Sequence, residues 1–160
     1  MFDVNRRQLL ASLAALGVTL PFGKTAMAAE SALVFGEAKP YSFEALVEET
    51  RALAASPYVP EVPRFGDVLE AIDYDQHQRI QFLSDNTLEL NGGESPVRFF
   101  HLGRYFKLPV GIHVVEDGKA REIRYDPKLF KIPADSPAKQ LPDDIGFAGF
   151  RVLEPNSERD

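Results

Sequence analysis

The chain has 160 residues, 44% of them hydrophobic and 26% charged, with 24 acidic against 18 basic side chains and a formal charge of -6. That balance fits a domain large enough for one core, and it lacks the basic stripe with which nucleic-acid binders neutralise phosphates. With no cysteine anywhere, disulfides, thiolate metal sites and cysteine nucleophiles are excluded.

The first 28 residues read as an export signal. Arg6 and Arg7 open it, followed by an apolar run from Leu9 to Phe22 and then Lys24 and Ala26-Met27-Ala28, with cleavage expected after Ala28 or Ala29. Basic start, short greasy helix and small residues at the cut are the parts of a signal peptide. Paired arginines followed by Leu9-Leu10 resemble the twin-arginine variant, which hands folded proteins to its own export machinery. The run is shorter than the roughly 20 residues a spanning helix needs. The expected destination is therefore the periplasm, with no stable membrane insertion after cleavage. Losing residues 1–28 removes Arg6, Arg7 and Lys24 against Asp3 alone, so the exported part is more acidic still.

From residue 29 the pattern changes. Ser42 precedes Phe43, Leu46, Val47, Leu53 and Ala54, an apolar stripe at helical spacing with Ser42 as its cap, and Pro57 stops it. Val68, Leu69 and Ile72 predict a second short helix, both helices being expected to pack on a sheet. Asp73-Tyr74-Asp75 reads as a turn into a strand over Gln78–Leu83, where alternate residues are apolar. Leu88 and Leu90 allow another strand before the loop Asn91-Gly92-Gly93.

Strand-forming residues are densest from Pro96 to Tyr125, which reads as a β-meander. Asp117-Gly118 is its clearest turn, because a two-residue hairpin needs positive φ at both central positions. That turn sets Glu116 against Lys119, Val114 against Arg121, Ile112 against Ile123 and Val110 against Tyr125. Beyond it, Leu129–Ile132 is a candidate strand, Pro133–Asp144 a long loop, and Gly146–Leu153 a buried strand with close backbone contacts. The strands are too few for two complete sheets, so the chain reads as the start of something longer.

Chemistry-bearing residues are sparse. His77, His101 and His113 match no metal spacing, and no cofactor motif is present: Gly146 and Gly149 lack the lysine and helix of a phosphate loop. Asp73 with Asp75 and Asp143 with Asp144 are the carboxylate pairs, but Asp is a favoured turn residue and both lie in turn-like surroundings. No catalytic residue is assigned. His101, flanked by Phe99, Phe100 and Tyr105, and the amphipathic rings of Tyr58, Tyr74 and Tyr105 are the candidates for a carbohydrate groove, with core packing as the competing role.

Four stretches carry a family resemblance: Phe43–Tyr58 ending LAASPY, Leu69–Phe82 (LEAIDYDQHQRIQF), Phe100-His101-Leu102-Gly103 followed by Phe106 and Pro109-Val110, and Gly146–Arg151 (GFAGFR). In this order and spacing the chain resembles the periplasmic glucans biosynthesis family, proteins G and D, the arginine pair favouring the D branch. Leu102 and Arg104 stand where the family pattern has proline and a small or apolar residue. The resemblance implies a mainly β fold, an antiparallel galactose-mutarotase-like β-sandwich with one or two short helices near its start, of which residues 29–160 form the N-terminal part. It also implies work on osmoregulated periplasmic glucans with a β-1,2-linked glucose backbone, some members being β-1,2-glucanases whose catalytic acid lies outside this chain. Expected partners are the glucan itself and other periplasmic glucan synthesis proteins. His101, Tyr105 and Tyr58 are the expected sugar contacts, and the alternative is a non-catalytic glucan-binding or scaffold module.

Overall fold

The computed structural model describes residues 32–90 and 93–154, all within the unit Ser31–Asp160. The export features at Arg6, Arg7, Ala26, Ala28 and Ala29, and most of the loop at Asn91-Gly92, lie outside the described residues. Among the described residues the strands are β1 (Val34–Phe35), β2 (Lys39–Pro40), β3 (Gln81–Phe82), β4 (Leu88–Leu90), β5 (Ser95–His101), β6 (His113–Glu116), β7 (Lys119–Arg124), β8 (Phe130–Lys131) and β9 (Phe147–Val152). The helices are α1 (Phe43–Ala54), α2 (Gly66–Ala71) and α3 (Tyr74–Gln78). Every pairing is antiparallel, and the fold is mainly β.

The hairpin forms as its turn dictates. Asp117 and Gly118 have φ of 50° and 68°, and the ladder runs Glu116 to Lys119, Val115 to Ala120, Val114 to Arg121 and His113 to Glu122. The Ile123 amide donates to Ile112 O at 2.8 Å, so the register holds to Ile112. Val114 and Ile123 are buried, while His113, Glu122 and Arg124 face outward. Along the other edge of β7 run β1 and β2, which put Phe35 opposite Ile123 and Lys39 opposite Ala120.

The meander stops there. β5 pairs with β4 and β9 in a separate three-stranded sheet, not with β6. After His101 the chain leaves the ladder: Gly103 and Phe106 exchange hydrogen bonds at 3.1 Å, and the Arg104 amide donates to Ile72 O. Val110 then crosses over, donating to Phe147 O at 2.9 Å rather than facing Tyr125. Two sheets are thereby joined at one corner, with an apolar groove of about 690 Å³ between them lined by Leu88, Leu90, Val97, Ile112, Val114 and Phe150. This is a sandwich-like arrangement, since each sheet turns an apolar face toward the other.

The helices divide by what lies beneath them. Ser42 caps α1, its Oγ accepting from the Ala45 amide at 3.1 Å, but no residue of α1 is buried. The helix does not pack on the sheet as its stripe predicts, because a space of about 800 Å³ separates Leu46 and Leu53 from the outer face of β6–β7, where His113, Glu122 and Arg124 offer no apolar seat. By contrast, α2 anchors through Leu69 and its following residue Ile72, both fully buried, and packs on a 3-10 turn at Pro137–Gln140. The turn expected at Asp73–Asp75 is instead the start of α3. The Asp73 carboxylate accepts from the Gln76 amide at 3.0 Å, and a residue that favours turns also favours caps. The strand predicted over Gln78–Leu83 shrinks to Gln81–Phe82, paired with β8.

At the far end β9 is buried on one side only. Phe147 is covered, but Phe150 and Val152 are 54% and 58% exposed. The close backbone approach read from GFAGFR is at Gly146: with φ of +94°, a β-carbon there would lie 2.6 Å from Pro109 Cβ.

Candidate functional site

Strand β5 alternates its side chains between two environments, as strands must. Val97 and Phe99 enter the core and Arg98 and Phe100 take the other face. Pairing with β9 is regular from Val97–Val152 to Phe100–Gly149, then shifts so that His101 meets Phe147 and Ala148 is skipped. An extra residue of this kind bends a strand and re-aims the next side chain. The result is that His101, Leu102 and Gly103 are buried in succession.

His101 is enclosed by aromatic rings and hydrogen-bonded through Nδ1. Its ring meets Tyr125 and Phe130 edge-on, with centroids 5.8 and 5.4 Å away, and these rings continue to Phe147, Phe99 and Phe82. Edge-to-face contacts of this kind add about 0.5–1.5 kcal/mol each beyond area burial. The Nδ1–H donates to Leu102 O at 2.7 Å, and His77 Nε2–H donates to the His101 carbonyl at 2.8 Å. Burial is the main cause that lowers the His101 pKa from 6.5, outweighing the Leu102 bond, with His77 adding to it. Burial likewise pushes the Tyr125 hydroxyl well above the ordinary tyrosine range, with Asp126 and Asp143 acting in the same direction. Gly103 completes the joint, since a β-carbon there would stand 2.9 Å from His77 Cδ2 and 3.3 Å from Ile72.

Beside this joint lies a cleft of about 300 Å³. His77, Gln78 and Gln81 supply one wall, Arg98, Phe100 and Arg151 the other, and Phe82, Phe99, Phe130 and His101 the floor. Phe100 is 40% exposed, opposite Gly149, and the Arg151 guanidinium carbon lies 5.9 Å from the centre of its ring. Arg98 Nε donates to Thr87 Oγ1 at 3.1 Å. An aromatic face flanked by side-chain amides and guanidiniums can stack on a ring and hydrogen-bond to hydroxyls.

The family described as periplasmic glucan biosynthesis protein, MdoG, matches residues 41–160. The chain belongs to the periplasmic glucan biosynthesis family. It is 49% identical over 158 residues to glucans biosynthesis protein D 2 of Ralstonia nicotianae, covering 94% of this chain and 28% of that protein. Glucans biosynthesis protein D of Xanthomonas axonopodis pv. citri is 40% identical over 156 residues, 93% of this chain and 29% of that protein. The protein D of Xylella fastidiosa is 40% identical over 119 residues, 73% of this chain and 22% of that protein. The chain thus spans less than a third of the length of these glucan biosynthesis relatives.

Three of the four stretches that carry the glucan-family resemblance meet at the cleft: Leu69–Phe82 through His77 to Phe82, the stretch from Phe100 through Phe100 and His101, and Gly146–Arg151 through Arg151. Of the expected sugar contacts, His101 lines this cleft but is only 2% exposed, its ring enclosed by Tyr125 and Phe130. Tyr58 and Tyr105 are 85% and 67% exposed, and neither lines the cleft. One carboxylate of each pair is occupied structurally: Asp73 caps α3, and Asp144 receives Arg64 at 3.1 Å. Gln78, Gln81, Arg98 and Arg151 were not legible as site residues. The one available signal was an arginine set inside each of two apolar strands, and it needed the β5–β9 register to become a site. Among the described residues, no helix is long and apolar enough to cross a membrane.

Proposed function

We propose that this chain serves the biosynthesis of osmoregulated periplasmic glucans as a glucan-binding part of an exported protein, with the His101 cleft taking the sugar. One observation carries the reading: three of the four stretches that resemble the family converge on a single cleft that has a half-exposed aromatic face and polar walls. The family match over 41–160 supports the process. In this reading Phe100 stacks on a glucose ring, Gln78 and Gln81 meet its hydroxyls, and His101 positions β5 from behind. The arginine pair at Arg6 and Arg7 directs export through the twin-arginine machinery, and the periplasm is the place of action.

A binding role is favoured over cleavage at this cleft for a chemical reason. Glycoside hydrolysis uses paired carboxyl groups across the scissile bond, and among the described residues no Asp or Glu lines the cleft. Any β-1,2-glucanase activity of the whole family protein would then draw its acid from elsewhere.

Titration calorimetry of the exported protein with a neutral β-1,2-linked gluco-oligosaccharide tests this. Saturable binding, weakened severalfold by Phe100→Ala and by Gln81→Ala, is the expected result. Binding that ignores both changes but is lost in Tyr105→Ala or Tyr58→Ala would move the sugar path to the exposed tyrosines. No binding at all would remove the reading.

A further inference from the structure

Strand β9 turns one edge away from its only ladder partner. Its following residue Leu153 donates its amide to Pro96 O at 2.8 Å, and in an antiparallel ladder the pairing groups alternate along the strand. Arg151 and Leu153 therefore turn their amides toward β5, while Phe150 and Val152 turn theirs outward. At the Phe147 end the Val110 amide occupies the outer edge, donating to Phe147 O. Beyond that bridge, among the described residues, no strand pairs with the outer edge of β9. The side chains beside it are apolar and uncovered. Phe150 and Val152 share a face with their cross-strand partners Phe99 and Val97, yet both are more than half exposed, and a β-carbon on Gly149 would meet nothing within 4 Å.

Edges that stay in solvent are kept short or carry charge. β4, at the opposite side of the same sheet, is such an edge, with three residues and Glu89 at its centre. β9 has six residues, and its one charge, on Arg151, belongs to the cleft and not to the groove between the sheets.

We propose that the outer edge of β9 receives a β-strand from the part of the glucan biosynthesis proteins that this chain does not match, with alternate apolar side chains of that strand filling the groove against Val97, Ile112 and Val114. Backbone groups facing an apolar groove require partners. An added strand supplies them along its length while the side chains of one face enter the groove. The source follows from length: the Ralstonia nicotianae and Xanthomonas axonopodis relatives carry more than two-thirds of their residues outside the match. A strand tethered in the same molecule docks at high effective concentration. The inference rests on family membership and is independent of the sugar-binding reading.

The test is a full-length chimera in which this chain replaces the matched part of the Ralstonia nicotianae protein D 2, followed by amide hydrogen exchange at single residues. Phe150 and Val152 are expected to exchange within about tenfold of Arg151, because an occupied edge protects the amides on both sides of β9. Val152→Pro deletes an outward donor, a change that a bare edge tolerates, and is expected to lower the urea midpoint of the chimera further than Val152→Ala, which keeps the donor. Fast exchange at Phe150 and Val152 beside a slow Arg151, or equal midpoints for the two variants, overturns the proposal. Protection of Phe150 and Val152 that fades on dilution gives the edge to a second copy and overturns it as well. If the chimera does not fold, the unaltered Ralstonia protein decides at the positions aligned with 150–152: three slow amides in a row uphold the added strand, and a slow amide between two fast ones ends it.

Discussion

His101 makes the stability of this protein depend on pH in a stated direction. Its folded pKa lies below 6.5, chiefly because burial disfavours the imidazolium, so the unfolded chain takes up the proton first. The stabilisation is fully present above about pH 6.5 and is lost as pH falls through the folded value. One proton linked to unfolding gives at most about 1.4 kcal/mol per pH unit. Urea midpoints taken at pH 8, 7, 6 and 5 should therefore fall below pH 6.5, and His101→Phe, which keeps a ring among Tyr125 and Phe130, should flatten that decline. Gly146 sets a second limit at this scale. Gly146→Ala must place a β-carbon 2.6 Å from Pro109 at a φ of +94°, combining backbone strain with overpacking. A loss of about 2–4 kcal/mol is expected, measured by denaturant unfolding.

Short elements owe their existence to single contacts. α3 has five residues and no buried side chain, so propensity alone does not sustain it. The Asp73 cap and the His77 bond to the His101 carbonyl fix it in place. Asp73→Ala should cost about 1 kcal/mol and raise amide exchange over residues 76–78 before it affects the β6–β7 hairpin. Gly103→Ala disturbs the same joint from the other side, since the new methyl meets His77 and the Ile72 carbonyl at 2.9 and 3.3 Å. A cost of about 1–3 kcal/mol is expected, with the His77 ring resonances shifted in NMR spectra. Legibility followed the same division between local and remote causes. The Asp117-Gly118 hairpin, the Ser42 cap and the tight glycine at Gly146 were readable because each is decided within a few residues. The partners of β5 were not. Nothing near Ser95–His101 announces that β9 will pair with it across the Leu102–Gly146 stretch, and the β1 and β2 segments are too short to show any period. For the site the same holds: His101 stood out as a residue type, yet its burial depends on the skipped Ala148, and the arginine pair exists only through the register of β5 on β9.

Across the molecule, apolar surface is left uncovered on two sides. The groove between the sheets is open beside Val115 and Phe150, 47% and 54% exposed, and α1 holds Phe43 and Leu53 at 68% and 74%. Contiguous apolar surface of this kind drives association. Residues 29–160 produced alone should elute from size exclusion as aggregates or broad oligomers, and Phe150→Ser with Leu53→Ser should raise the monomer fraction. A sharp, reversible melt of a monomer without those changes would contradict the expectation.

The single bridge from Val110 to Phe147 also orders events in time. A two-residue hairpin closes within about 1–10 μs, so β6 and β7 have their shape as soon as Arg124 exists. β5 can pair with β4 at once but must wait for its second partner, β9, which arrives far later in the chain, and contacts of long sequence separation form slowly because the loop between them has to close first. Until then Phe99 and His101 lack the cover of Phe147. A polypeptide emerging residue by residue thus completes its hairpin early and its aromatic centre last, when Phe147 arrives and Val110 is pinned.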